Sequence, residues 1–307
     1  MKQLVSRLLM LVVTVIWGAG YVVSSVGIQA ISPYQLIASR FLIAFILSLL
    51  FFFKALKDIK KSTLIRGSMI GVTLFLAFIF QTVGLAYTTP SKNAFLTAAG
   101  VVLVPFISSV FFKNKVPLKA IFGALFTFVG SALLSLDQIS GLNIGDILTL
   151  ICAVCFALQT IFSGLYVKHE NVQALTIVQL GAAAISGLVT LLIRGEGYNF
   201  SSKEANLSVL YLALFGTFIA YFIQSVALRF ISDSEAMIIA SLESLWGMVL
   251  SILILNEWVT VQMLIGAFFI LSGSIVAQLN FAKIKWPKRK VSAESIPHLT
   301  TVEQTDP

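Results

Sequence analysis

Two ionisable residues lie where charge is expensive. Glu243 is about eight residues into the apolar stretch 235–255, and Arg40 about six residues into the stretch 34–53. An acid or base at the centre of a bilayer costs about 2.5–3.5 kcal/mol on insertion scales. Each therefore needs a protein-facing or water-facing position. At 1.5 Å per residue, Glu243 sits roughly 12 Å along its helix. Its carboxyl could bind an amine, take up a proton, or pack its helix as a neutral acid. Arg40 could snorkel to the surface or cap backbone carbonyls, which is a structural role. The two are compatible in depth as a pair.

Amides and aromatic rings supply the remaining candidates. Gln81, Gln159 and Gln224 lie in apolar stretches. They could hydrogen-bond neighbouring helices or bind a carboxylate or amine. Trp17 and Tyr21 are spaced i, i+4 and share one helix face. With Phe156 and Trp246 they could line a pocket for an apolar or cationic group. Asn93 starts an apolar stretch and is a gate candidate. Cys152 and Cys155 read as small core residues, because no His or second Cys pair accompanies them. The chain has neither a G-x-x-x-x-G-K-[ST] nor an H-E-x-x-H motif, so no ATP motor, metal, cofactor or catalytic constellation is expected. His169 and His298 fall in a loop and the tail.

These residues need helices to place them. The chain has 307 residues, 58% hydrophobic and 11% charged, against about 25% charged in soluble domains. So little charge could not cover a soluble surface, which excludes soluble enzymes, disordered chains and nucleic-acid binders. Ten stretches are long enough to span a bilayer: about 8–28, 34–53, 65–87, 93–112, 117–136, 146–167, 173–193, 206–228, 235–255 and 259–280. They are continuous runs, which argues for helices over barrel strands. The first is too long for the apolar region of a signal peptide and is expected to be retained.

The net charge of +8 is topological. With the N-terminus inside, seventeen Lys and Arg fall on the inner side and three (Lys92, Arg194 and Lys203) on the outer side. That split follows the positive-inside rule and puts both termini in the cytoplasm of a plasma (inner) membrane protein. The basic run 283–290 is expected on anionic headgroups, and 291–307 to be disordered.

The chain also repeats itself. With a shift of 143, Gln81 falls on Gln224, Ser91 on Ser234, Gly123 on Gly266, Phe126 on Phe269 and Gly130 on Gly273. A weaker register, shifted by 139, pairs Leu36 with Leu175 and Arg40 with Gln179. Each half holds five spans, an odd number, so tandem copies insert with opposite topology, as in many secondary transporters. The expected architecture is an all-α membrane protein with ten transmembrane helices in two inverted five-helix repeats, 1–137 and 145–280, and a cytoplasmic tail, 281–307. Gly123 with Gly130, and Gly266 with Gly273, mark spans five and ten as a packing seam, and as a face for a homodimer.

Short motifs fit that plan. Ile16-Trp17-Gly18-Ala19-Gly20-Tyr21, the run from Pro33 to Phe41 with its arginine, Asn93-Ala94-Phe95-Leu96-Thr97 through Val104-Pro105, Ser241-Leu242-Glu243-Ser244-Leu245 and Leu255-Asn256-Glu257 occur in order. Together they resemble EamA-type transporters of the drug/metabolite transporter superfamily, over about residues 8–280. The resemblance implies spans 1, 3, 4, 6, 8 and 9 around a central cavity, and transport of amino acids or similar small metabolites. Asn114 departs from the family's usual glutamate, and Ser244 from a proline that would kink span nine.

The resulting expectation is a secondary exporter of small metabolites, embedded in lipid and working by alternating access, with proton coupling through Glu243. Efflux of hydrophobic or cationic drugs and a non-transporting scaffold stay open as alternatives. The candidate cavity residues are Trp17, Tyr21, Gln81, Asn93, Phe156, Gln159, Gln224, Glu243 and Trp246, with Arg40 as a structural or coupling residue.

Overall fold

The computed structural model describes residues 2–112, 118–135, 143–197 and 202–278. In chain order the helices are α1 (Lys2–Ile28), α2 (Pro33–Phe52), α3 (Lys61–Leu85), α4 (Pro90–Ala98), α5 (Gly100–Phe112), α6 (Leu118–Ser135) and α7 (Ile144–Tyr166). They continue as α8 (Val172–Ile193), α9 (Lys203–Ala213), α10 (Ala220–Ala227), α11 (Asp233–Ser241), α12 (Glu243–Leu255) and α13 (Val261–Gln278). A 3₁₀ turn, Phe53–Asp58, follows α2, and a π-helical turn, Leu214–Ile219, joins α9 to α10. No strand occurs among the described residues. Seven helical segments are long and apolar enough to cross a membrane: α1, α2, α3, α7, α8, the rod Lys203–Ala227 and the stretch Glu235–Leu255. The chain is a multi-pass membrane protein. Asn114, the basic run 283–290 and the tail lie outside the described residues.

Polar residues at the turns start the helices. Ser32, Thr89 and Ser232 each accept a hydrogen bond from a backbone N–H three residues on, at Gln35, Lys92 and Glu235. Asn143 and Asp146 form a reciprocal capping box at the start of α7. Pro33 and Pro90 occupy first-turn positions, where the missing N–H costs nothing. Asn256 ends α12 in the left-handed conformation, at φ 52°, which Asn tolerates better than most side chains.

Two apolar stretches are broken near their middle. Ala99 separates α4 from α5, and Leu242 separates α11 from α12. Ser244, which stands where proline was the family expectation, donates its hydroxyl to the Ser241 carbonyl at 2.7 Å and so caps an acceptor at the second break. Adding 143 to each bound of α4, α5 and α6 gives the bounds of α11, α12 and α13.

A core of Ile37, Phe41, Leu74, Phe78, Leu180, Phe218 and Tyr221 joins α2, α3, α8, the π turn and α10. Large apolar side chains such as Leu50, Phe51, Phe128, Leu192 and Phe268 point outward, where lipid solvates them. The glycines of α6 and α13 face one another within the chain. A Cβ on Gly130 would lie 2.6 Å from the Gly266 carbonyl oxygen, and one on Gly273 would lie 2.7 Å from that of Gly123. The seam is therefore a backbone-to-backbone approach that larger residues would pry apart.

Candidate functional site

The site begins where α1 meets α12. A Cβ on Gly18 would lie 2.9 Å from the Glu243 carbonyl oxygen, so glycine lets the two backbones touch. That approach brings the Tyr21 hydroxyl, one turn further along α1, to donate to Glu243 Oε1 at 2.8 Å. Gln81 of α3 donates its Nε2 to the Tyr21 oxygen at 3.2 Å and to Thr97 Oγ1 at 3.4 Å. The break after Ala98 and the break before Glu243 leave these polar groups pointing into the bundle centre.

A second polar group forms on the opposite repeat position. Gln159 of α7 donates to Gln224 Oε1 of α10 at 3.3 Å and to Ser163 Oγ at 3.0 Å. Thr160 donates to Gln159 Oε1 at 3.3 Å. The third group surrounds Arg40. Its Nε donates to Thr217 Oγ1 at 2.5 Å and its Nη2 to the Gly216 carbonyl at 3.2 Å. Trp17 Nε1 donates to the same Gly216 carbonyl at 3.1 Å. The guanidinium carbon stands 3.8 Å from the centre of the Phe78 ring, a cation–π contact. The π turn makes this possible: a widened turn presents the Gly216 carbonyl to side chains from α1 and α2.

These three groups line one central cavity. Its volume is about 60 Å³, enough to admit water. Trp17, Tyr21, Gln81, Phe156, Gln159, Gln224, Glu243 and Arg40 are all at its wall. Glu243 supplies an acid and Arg40 a cation to the wall, and Phe78, Tyr221, Trp17 and Phe156 supply aromatic faces. Such a wall can receive a small molecule that carries both charges.

Two expected residues are elsewhere. Asn93 is buried and turned away from the cavity, donating to the Gln81 carbonyl at 3.2 Å and to Thr149 Oγ1 at 2.8 Å. Trp246 is 43% exposed and is not at the cavity wall; its Cβ lies against Gly18 at the α1–α12 contact. Arg40 does not snorkel. It is 3% exposed, donates to the Gly216 carbonyl and also lines the cavity. Cys152 and Cys155 are both buried and free, and neither is at the cavity wall.

Phe78, Thr97 and Tyr221 were not singled out by sequence. Phe78 lies three residues before Gln81 and Tyr221 three before Gln224, on the same helix faces. A shift of 143 superposes the two, so the signal was present in the repeat.

Comparison with known proteins agrees with this architecture. The model of the EamA-like transporter family matches residues 5–136 and 143–278. A protein of Archaeoglobus fulgidus described as an uncharacterized transporter is 34% identical over 281 residues, covering 91% of this chain and 87% of the relative. A probable amino-acid metabolite efflux pump of Salmonella typhimurium is 26% identical over 292 residues, covering 89% of this chain and 94% of the relative. One solved crystal structure matches with a TM-score of 0.67 at 18% identity, over 89% of this chain and 96% of that one, which speaks to fold alone. With both halves matched by the same family model, this chain belongs to the EamA-like transporter family.

Proposed function

We propose that the protein is a secondary transporter that exports small metabolites, amino acids among them, across the plasma membrane by alternating access. The observation that carries this reading is a central cavity whose wall holds both Glu243 and Arg40. A zwitterion would place its ammonium at Glu243 and its carboxylate at Arg40, with Gln81, Gln159 and Gln224 completing its hydrogen bonds. The arginine disfavours efflux of cationic drugs, which it would repel. A scaffold has no use for a polar cavity in lipid, where each unsatisfied group is costly.

In this reading the chain spans the membrane ten times, as two inverted five-helix repeats with both termini in the cytoplasm. The broken pairs α4–α5 and α11–α12 are then spans four and nine, and α6 and α13 are spans five and ten. Equal boundaries under one shift support the repeat, and so does the cavity wall. Phe78 pairs with Tyr221 and Gln81 with Gln224 at 143, while Trp17 pairs with Phe156 and Tyr21 with Thr160 at 139. Two matched halves around one site can exchange conformations, so that the cavity opens to each side in turn. A homodimer through spans five and ten would use the outer faces of α6 and α13, since their glycine faces are occupied by each other.

Coupling falls to Glu243. Protonation removes its charge and changes its bond from Tyr21, which links α1 to α12 across the repeats. Inverted membrane vesicles test this reading. A pH gradient should drive uptake of a labelled amino acid in the native protein, and Glu243→Gln should abolish that dependence. Unchanged gradient-driven uptake in Glu243→Gln would remove the coupling role.

A further inference from the structure

Two of the ion pairs outside the cavity stand at opposite ends of the helix bundle. Lys92 Nζ is 3.1 Å from Asp146 Oδ2, joining the first turn of α4 to the first turn of α7. Arg7 Nε is 2.5 Å from Glu235 Oε1, joining the second turn of α1 to the first turn of α11 at the opposite end. The pairs are counterparts. Lys92 falls on Glu235 at the shift of 143, and Arg7 falls on Asp146 at the shift of 139. The repeat therefore carries the same bridge twice, with its charges exchanged.

The two bridges differ in burial. The side chains of Lys92 and Asp146 are 6% and 0% exposed, whereas those of Arg7 and Glu235 are 46% and 33% exposed. The surrounding helices differ in the same sense. Every residue of α4 is buried, while Asp233, Glu235 and Ile239 of α11 are partly exposed. Other bonds tighten the buried end: Ser91 donates its hydroxyl to Glu257 at 2.8 Å, and Asn93 ties α4 to Thr149 of α7.

The geometry points to a pair of reciprocal latches. Lys92–Asp146 closes the cavity at the end where α4 and α7 begin, Arg7–Glu235 closes it at the other, and each parts when its own end opens. The structure holds both pairs closed, the first of them buried. A buried ion pair suits this task because its desolvation cost is recovered once water enters. Closed, the two charges pair but leave Lys92 Nζ and Asp146 Oδ1 without a hydrogen bond; open, water can hydrate both. An apolar pair in the same place would have no hydrated state to open into. This inference rests on the alternating-access reading.

The test uses a single reporter cysteine, Ala240→Cys at the cavity wall, in the full chain carrying Cys152→Ala and Cys155→Ala. Vesicles of both orientations are treated with a membrane-impermeant maleimide. Lys92→Ala should raise labelling from the α4/α7 side by roughly fivefold or more, the lower range of coupling between sites. The exchanged pair Lys92→Asp with Asp146→Lys should restore the native rate. Arg7→Ala should raise labelling from the opposite side. Lys92→Met with Asp146→Leu keeps an uncharged, packed pair and should lower labelling from the α4/α7 side below native. If Lys92→Ala does not fold, this double variant decides the matter. Native labelling rates in the folded variants, or no restoration by the exchanged pair, overturn the latch. Labelling needs no substrate: altered labelling without solute flux would leave the latch and remove the transport reading, while flux with native labelling would do the reverse.

Discussion

Replacing Arg40 by Met separates binding from packing, because the structure gives the guanidinium both tasks. The substitution removes hydrogen bonds to Thr217 Oγ1 and to the Gly216 carbonyl and a cation–π contact with Phe78. Hydrogen bonds to charged groups contribute about 1.5–3 kcal/mol each, and a desolvated cation–π contact about 2 kcal/mol. Against that loss stands the relief of a buried cation, itself worth several kcal/mol. The abandoned partners are also still served. Gly216 keeps the Trp17 N–H at 3.1 Å, and the Thr217 hydroxyl keeps its bond to the Leu212 carbonyl at 2.7 Å. Stability should therefore change by no more than about 2 kcal/mol, the ordinary range for a substitution. Substrate binding has no such compensation. Losing one charge-assisted bond to a substrate carboxylate should raise KM by about 10- to 150-fold. In reconstituted vesicles, Arg40→Met should also erase the preference for an amino acid over its carboxamide. Unchanged KM and preference, together with a collapsed melting temperature, would show that Arg40 only packs the helices and would refute the zwitterion site.

Other expectations concern the frame. Gly273→Val places side-chain atoms against the Gly123 carbonyl and should cost about 1–3 kcal/mol by overpacking; thermal unfolding in detergent should show the loss while KM stays native. Glu170, in the loop after α7, is pushed up by burial, but hydrogen bonds from Thr63, Ser62 and Arg66 outweigh this and hold its carboxyl below its ordinary value. Its stabilisation is then present above the unfolded carboxylate value and fades as pH falls through the depressed one. Melting temperature measured against pH should show an acid limb that Glu170→Gln flattens. Tyr21→Phe removes the donor to Glu243 and should shift the pH dependence of transport without emptying the membrane of folded protein.

Much of the site was legible because polar groups in lipid are so costly that they must face inward. Glu243, Gln81, Gln159 and Gln224 followed from that rule, and Trp17 and Tyr21 from their spacing. The rule gives depth but no azimuth, which is why Trp246 was expected at the wall and stands outside, and why Asn93 was expected at a mouth and instead bonds α3 and α7. Arg40's partners were invisible because they belong to a π turn nearly 180 residues away in sequence. Lys92 read as one of three outer charges, and only the fold shows it buried against Asp146. The helices themselves were legible from length and apolarity. The breaks at Ala99 and Leu242 were not, since neither residue is a helix breaker.

Counterflow tests the central claim most directly. Purified protein in vesicles preloaded with an unlabelled amino acid, and diluted into a trace of the labelled form, should accumulate label in a transient overshoot. Glu243→Gln should need a higher substrate concentration for that exchange and should lose accumulation driven by a pH gradient. No label movement beyond protein-free vesicles, across a panel of zwitterionic metabolites, would contradict the account.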